Sequence, residues 1–81
     1  MDICVRFGSR VRAARLELGL SQEELAHRAE SNRTYISDIE RGTRNPTIEV
    51  VDRIARALSV SMGALLDAHV SAIPNSQDDQ A

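Results

Sequence analysis

The stretch Ser21–Gly42, SQEELAHRAESNRTYISDIERG, constrains the fold more than any other part of the chain. Ser21 is a strong helix N-cap, and Glu24 three residues on completes a capping box. Leu25, Ala26 and Ala29 follow at helical spacing and predict a core-facing side. Ala26 is small, which a second helix crossing the first at that point requires. Asn32 reads as a fresh N-cap and Gly42 as a C-terminal stop. The stretch therefore predicts two short helices, 21–29 and 32–41, joined by a tight turn.

The second of these helices has two unlike sides. At about 100° per residue, Arg33, Ser37, Arg41, Thr34 and Asp38 fall within an arc of roughly 140°. Tyr35, Ile39 and Ile36 fall on the opposite side. One arc is built to pack and the other offers hydroxyls, a carboxylate and guanidinium groups. A merely solvated helix face is normally filled with Glu, Lys and Ala. Thr and Ser are poor helix formers, so their presence on an exposed face points to what they touch.

The flanking segments continue the helical pattern. Phe7, Val11, Ala14 and Leu18 mark one buried stripe of a first helix over 3–18, with Arg6, Arg10 and Arg12 off the stripe, either solvated or, for one of them, reaching a phosphate. Gly8 weakens the start of that helix by roughly 1 kcal/mol relative to Ala, and Gly19 ends it. TRNPT, residues 43–47, reads as a loop: Pro46 disfavours a helical Asn45, and Thr47 can cap the next helix. Ile48, Val51, Ile54, Ala55 and Leu58 form the apolar stripe of a fourth helix over 48–58, with Glu49, Asp52, Arg53 and Arg56 outside it. Ser61 caps a short fifth helix carrying Met62, Leu65 and Leu66, with Val70 and Ile73 beyond it. This is more apolar surface than one small domain buries, so some of it is expected to stay exposed as a partner surface. The expected organisation is one domain over 1–68 and a polar, disordered tail over 69–81.

Gly19, Leu20, Ser21, Gln22, Glu23, Leu25 and Ala26, then Tyr35, Ile36, Ser37, Ile39, Glu40, Arg41 and Gly42, then Asn45, Pro46 and Thr47 together resemble the Xre-type helix-turn-helix family. That family includes the lambdoid phage repressors and the controller proteins of restriction–modification systems. The likeness runs to about Leu66. It implies an all-α, five-helix, lambda-repressor-like DNA-binding domain whose second motif helix enters the major groove N-terminus first. Arg33 is the expected chief base reader, because a guanidinium can bond both acceptors on a guanine edge. Asn32, Thr34, Ser37 and Asp38 complete the candidate base-contacting set, with Asp38 open to two roles: accepting from a cytosine amino group, or restraining Arg41 or Arg33. Gln22, Tyr35, Arg41, Arg44 and Asn45 are the phosphate candidates, Tyr35 being equally open to a packing role. The likeness further implies a pair between Arg15 and Glu40 tying the first helix to the third, and a two-fold homodimer through Met62, Leu65 and Leu66. Two positions depart from the family pattern. Glu30 stands where Gly is usual in the turn, and Ser31 where an apolar residue is usual. A left-handed non-glycine residue costs roughly 1–2 kcal/mol, so either the turn carries that cost or it takes another geometry.

Net charge is −2 over 81 residues, which excludes a uniformly basic nucleic-acid binder. The distribution is uneven: residues 1–45 hold eight Arg against seven acids, and residues 46–81 hold two Arg against five. A local basic edge on an acidic protein suffices for DNA binding, with weak non-specific attraction and a greater reliance on specific contacts. Cys4 is the only cysteine, so no intrachain disulfide forms, and its apolar setting favours a packed residue. His27 and His69 have no ligand spacing, so no metal site and no cofactor is expected. No apolar run approaches membrane-spanning length and no signal-peptide pattern opens the chain, so the expected location is the cytoplasm. No clustered His, Cys and carboxylate set or Gly-rich phosphate loop argues for an enzyme. The competing reading is a protein-binding module of the same fold, antitoxin-like or regulator-binding, which the acidic fourth and fifth helices would suit.

Overall fold

Each helix begins where a short polar side chain can accept a backbone N–H. In the computed structural model, which describes residues 2–67, five helices follow one another: α1 Ile3–Glu17, α2 Gln22–Arg28, α3 Arg33–Glu40, α4 Ile48–Leu58 and α5 Met62–Leu66. Asp2, Ser21, Asn32, Thr47 and Ser61 are the N-caps, each accepting from an N–H two or three residues on. At Ser21 the box is reciprocal: Glu24 N donates to Ser21 Oγ at 3.0 Å, and Ser21 N donates to Glu24 Oε1 at 2.8 Å. These bonds, led by the one from the Ser21 backbone, hold the Glu24 carboxyl below its ordinary pKa. The polar tail expected over 69–81, with Val70 and Ile73, lies outside the described residues.

The first four helices end in left-handed residues, at Gly19 (φ 72°), Glu30 (φ 56°), Gly42 (φ 79°) and Ser59 (φ 59°). Behind each one the chain folds back, with Leu20 N bonding Arg15 O, Ser31 N bonding Ala26 O, Thr43 N bonding Asp38 O and Val60 N bonding Ala55 O, at 2.7–3.1 Å. This is the Schellman arrangement, which glycine fits best. Glu30 therefore adopts the strained geometry rather than relaxing to another turn. Support comes from α4, where Arg53 Nε donates to Ala29 O at 3.0 Å and satisfies a carbonyl at the end of α2. Arg53, outside the apolar stripe of α4, is thus a tertiary cap.

Side chains from all five helices meet in one aliphatic core around Val11, Leu25, Ile36, Ile54 and Leu65. The mid-helix stripes are as expected, but their ends are not. Leu18 is 49% exposed and Ile48 is 70% exposed. Leu18 is the residue on which α1 ends, and after the Gly19 turn it is Leu20 that enters the core. Ile48 is the first residue of α4 and projects past the end of the core, which Val51 begins to fill. Leu65 also departs from expectation: it is 2% exposed and belongs to this chain's own core, so it offers no outward apolar surface. Met62 and Leu66 pack partly against the same core. Among the described residues the large apolar side chains left exposed are Ile3, Val5, Leu16, Leu18 and Ile48.

Two further residues have work the sequence did not suggest. Arg6 donates to Leu66 O at 3.1 Å and 3.4 Å, and Arg10 donates to Ala64 O at 2.7 Å. Both supply positive charge and donors to the open carbonyl end of α5, where helix polarity favours cations. Gly8 is set by contact rather than by helix propensity, since a Cβ there would lie 2.1 Å from Ile39 O. Its absence lets α1 lie directly on the C-terminal end of α3. Among the described residues no helix is long and apolar enough to cross a membrane.

Candidate nucleic-acid interface

Ile36 and Ile39, fully buried, fix the rotation of α3 about its own axis. Arg33 and Thr34 then point outward from its first turn, both exposed and, among the described residues, without a hydrogen-bond or ion-pair partner. Asn32 lies beside them, also exposed, with its Oδ1 committed to the Tyr35 N–H at 2.9 Å. Its side-chain amide nitrogen is the part left over for a ligand. Tyr35 is half-buried: it packs against the core and carries the Arg44 guanidinium 5.0 Å from its ring centroid, a cation–π distance.

Asp38 is the hub of the other end of α3. Its Oδ1 accepts from Arg41 Nη2, and its Oδ2 lies 3.4 Å from Arg44 Nε. Arg41 Nη1 donates to Ser37 Oγ at 3.0 Å. Of the two roles open to Asp38, the structure displays the restraining one, with Arg44 in the place considered for Arg33. Thr43, which the sequence did not single out, donates both its N–H and its hydroxyl to Asp38 O at 3.0 Å. The signal for it was present, because a hydroxyl residue just past a C-terminal Gly can double that bond. Asn45 follows on the same loop, exposed, beside a shallow hollow of about 80 Å³ lined by Ile3, Cys4, Phe7, Pro46, Val51 and Leu66.

Behind this face lies a nearly buried polar knot. Arg15 Nε donates to Glu40 Oε2 at 2.6 Å and Arg15 Nη2 donates to Glu40 Oε1 at 3.0 Å, while Arg15 Nη1 donates to Leu20 O at 2.8 Å. The two charged side chains are 9% and 4% exposed. The Glu40 bond raises the Arg15 pKa above the ordinary arginine value, against the opposing effect of burial. Gln22 Nε2 joins the knot, donating to Glu40 Oε1 at 3.1 Å. Gln22 is therefore held at the start of α2 against the end of α3, only half-exposed.

The structure thus brings Asn32, Arg33, Thr34, Tyr35, Ser37, Asp38, Arg41, Arg44 and Asn45 together along α3 and the loop after it. Gln22 borders them at the C-terminal end of α3, and Arg15 and Glu40 sit behind. Met62, Leu65 and Leu66 are elsewhere, on α5, which packs against α1 and α4. Three guanidinium groups and one carboxylate lie on the assembled face, so it is locally basic on an acidic chain. Planar donors, hydroxyls and amides on one convex helix suit recognition of a polyanion with readable edges.

Known proteins resemble this chain in sequence and in fold. A helix-turn-helix family model (HTH_3) matches residues 11–65. The chain is 48% identical over 67 residues to the control protein C.BamHI of Bacillus amyloliquefaciens, covering 82% of this chain and 83% of that one. Its structure is similar to that of the restriction–modification controller protein C.AhdI from Aeromonas hydrophila, with a TM-score of 0.74 and 39% identity, over 76% of this chain and 94% of that one. It is also similar to the controller protein C.Esp1396I, solved as a tetramer in complex with its natural 35 base-pair operator, with a TM-score of 0.73 and 37% identity, over 80% of this chain and 86% of that one. The chain belongs to the Xre-type helix-turn-helix family of DNA-binding transcription regulators.

Proposed function

We propose that this protein is a sequence-specific transcription regulator of the controller type, without catalytic activity, acting in the cytoplasm. It binds a near-palindromic operator as a homodimer, with residues 1–68 as the DNA-binding domain and 69–81 as an appended tail. The observation that carries the reading is the state of α3. One side is locked into the core by Ile36 and Ile39, while its N-terminal turn presents Arg33 and Thr34 exposed and unbonded among the described residues. An exposed guanidinium alone is ordinary, as at Arg12; an exposed, unbonded Thr beside it, a poor helix former, is what a helix used only for packing would not favour. In helix-turn-helix proteins the N-terminal residues of this helix meet the base edges, which makes Arg33 the guanine reader and Thr34 and Ser37 its neighbours. Asn32 contributes its amide nitrogen. Arg41, Arg44, Asn45, Tyr35 and Gln22 face the phosphate backbone and set position rather than sequence. The operator complex of C.Esp1396I supports DNA as the ligand and a multimer as the bound form. With Leu65 committed to the core, Met62 and Leu66 are the α5 residues that remain for a dimer contact.

Selection of bound duplexes from a random pool tests this directly. The expected winner is a near-palindrome whose half-sites lie about one DNA turn apart. Arg33→Ala is expected to cost roughly 1–3 kcal/mol of affinity and to relax preference at one base pair per half-site. Unchanged sequence preference in that variant would remove Arg33 from the reading role. Absence of any enrichment by the folded protein would favour the protein-binding module instead.

A further inference from the structure

Asp38 is out of place by the rules that govern helices. It sits in the last turn of α3, where the helix already presents its negative end and a carboxylate is unfavourable. Asp is also a poor helix former. The structure accounts for it through its neighbours. One carboxylate oxygen is bonded by Arg41 and the other is approached by Arg44, and the side chain is only 18% exposed. With both oxygens turned to arginines and little of the side chain exposed, Asp38 offers a base edge only a small part of its acceptor capacity. The loop is also tied to it, because both donors of Thr43 close on its carbonyl oxygen and so bring Arg44 back over α3.

We propose that Asp38 is a positioning and selectivity residue, an internal counter-ion that orients Arg41 and Arg44 and withholds their charge from indiscriminate phosphate contact. The proposal rests on the DNA-binding reading above and deepens it. Arg41 and Arg44 are long and mostly solvent-exposed, with 63% and 50% of their side-chain surface accessible. Free side chains of this kind lose rotamer freedom when they bind. Here Asp38, Ser37 and the Tyr35 ring order them in the unbound protein, and pre-ordering lowers what association must supply. The same carboxylate cancels part of the positive charge. Non-specific binding depends on how many phosphates are neutralised, so the counter-ion weakens it. Specific binding, where other contacts hold the two arginines at fixed phosphates, suffers less. The result is a higher ratio of specific to non-specific affinity.

The test compares the wild-type chain with Asp38→Asn on two duplexes, the selected operator and a scrambled sequence of equal length, over a salt series. The selected consensus should be the same for both proteins. Affinity of the variant for the scrambled duplex should rise about threefold at low salt. Its salt slope should steepen by about 0.9, the increment for one more neutralised phosphate. In an Arg41→Ala, Arg44→Ala background the Asp38→Asn change should no longer steepen the salt slope by that increment, since no arginine is left to neutralise a further phosphate, an outcome that an effect on folding alone would not produce. Asp38→Ser repeats the comparison if the Asn variant melts below the assay temperature. A change of preferred base at one half-site position would make Asp38 a base reader and overturn the proposal. So would an unaltered scrambled-duplex affinity and slope. If the wild-type chain enriches no sequence, the DNA-binding reading itself fails and takes this proposal with it, a result distinct from a wild type that enriches and a variant that behaves identically.

Discussion

Glu40 exchanges water for three nitrogen donors, two from Arg15 and one from Gln22. Such a knot adds little net stability over an apolar replacement, but losing one member strands the others. Glu40→Ala leaves the Arg15 guanidinium, 9% exposed, with Leu20 O as its remaining described partner. The expected cost is about 3–5 kcal/mol in urea denaturation. A paired replacement, Arg15→Met with Glu40→Leu, should recover most of that loss; if it does not, the pair contributes more than mutual neutralisation. The partnership could not be read from spacing, since the two residues are 25 apart and no local period joins them; only the family likeness linked them. Gly8 shows the converse failure. Its propensity cost was legible, but the 2.1 Å approach of the Ile39 carbonyl that forbids a Cβ is a tertiary fact.

Among the elements, helix starts were legible because each depends on one side chain and an N–H two or three residues away. Stripe membership was legible in mid-helix and failed at the ends. Leu18 and Ile48 have the right phase, but among the described residues no neighbouring element covers them. Arg6, Arg10 and Arg53 have the wrong phase for the core, yet their length lets them reach back to helix carbonyls. The α2–α3 turn is where sequence and element conflict most. Glu30 is exposed and left-handed, so Glu30→Gly removes a steric cost of roughly 1–2 kcal/mol, partly offset by the greater freedom of unfolded glycine. The expected gain is about 1 kcal/mol, or roughly 4–8 °C in melting temperature for a domain of this size. An unchanged or lower melting temperature would show that Glu30 earns its place by another interaction.

For the whole molecule, a charge of −2 conceals a locally basic face, and the division of arginines along the chain was enough to anticipate it. The fate of the α5 apolar residues was not legible, because one short helix can give its side chains to its own core or to a second copy and periodicity treats both alike. Leu65 took the first course. Arg44→Ala should weaken binding to the operator and to its single-base variants by a similar factor and flatten the salt slope on the operator by about 0.9; gel shifts across a salt series measure both, and a loss that depends on one base pair would place Arg44 at a base instead. The exposure of Arg33 and Thr34 at the open end of α3 has a consequence for descent. Neither residue holds any described part of the scaffold together, so replacing them leaves the fold nearly untouched. If they read the operator, a duplicated gene could acquire a separate set of targets by altering two codons, and sibling regulators in one cell could part company long before their frameworks diverge.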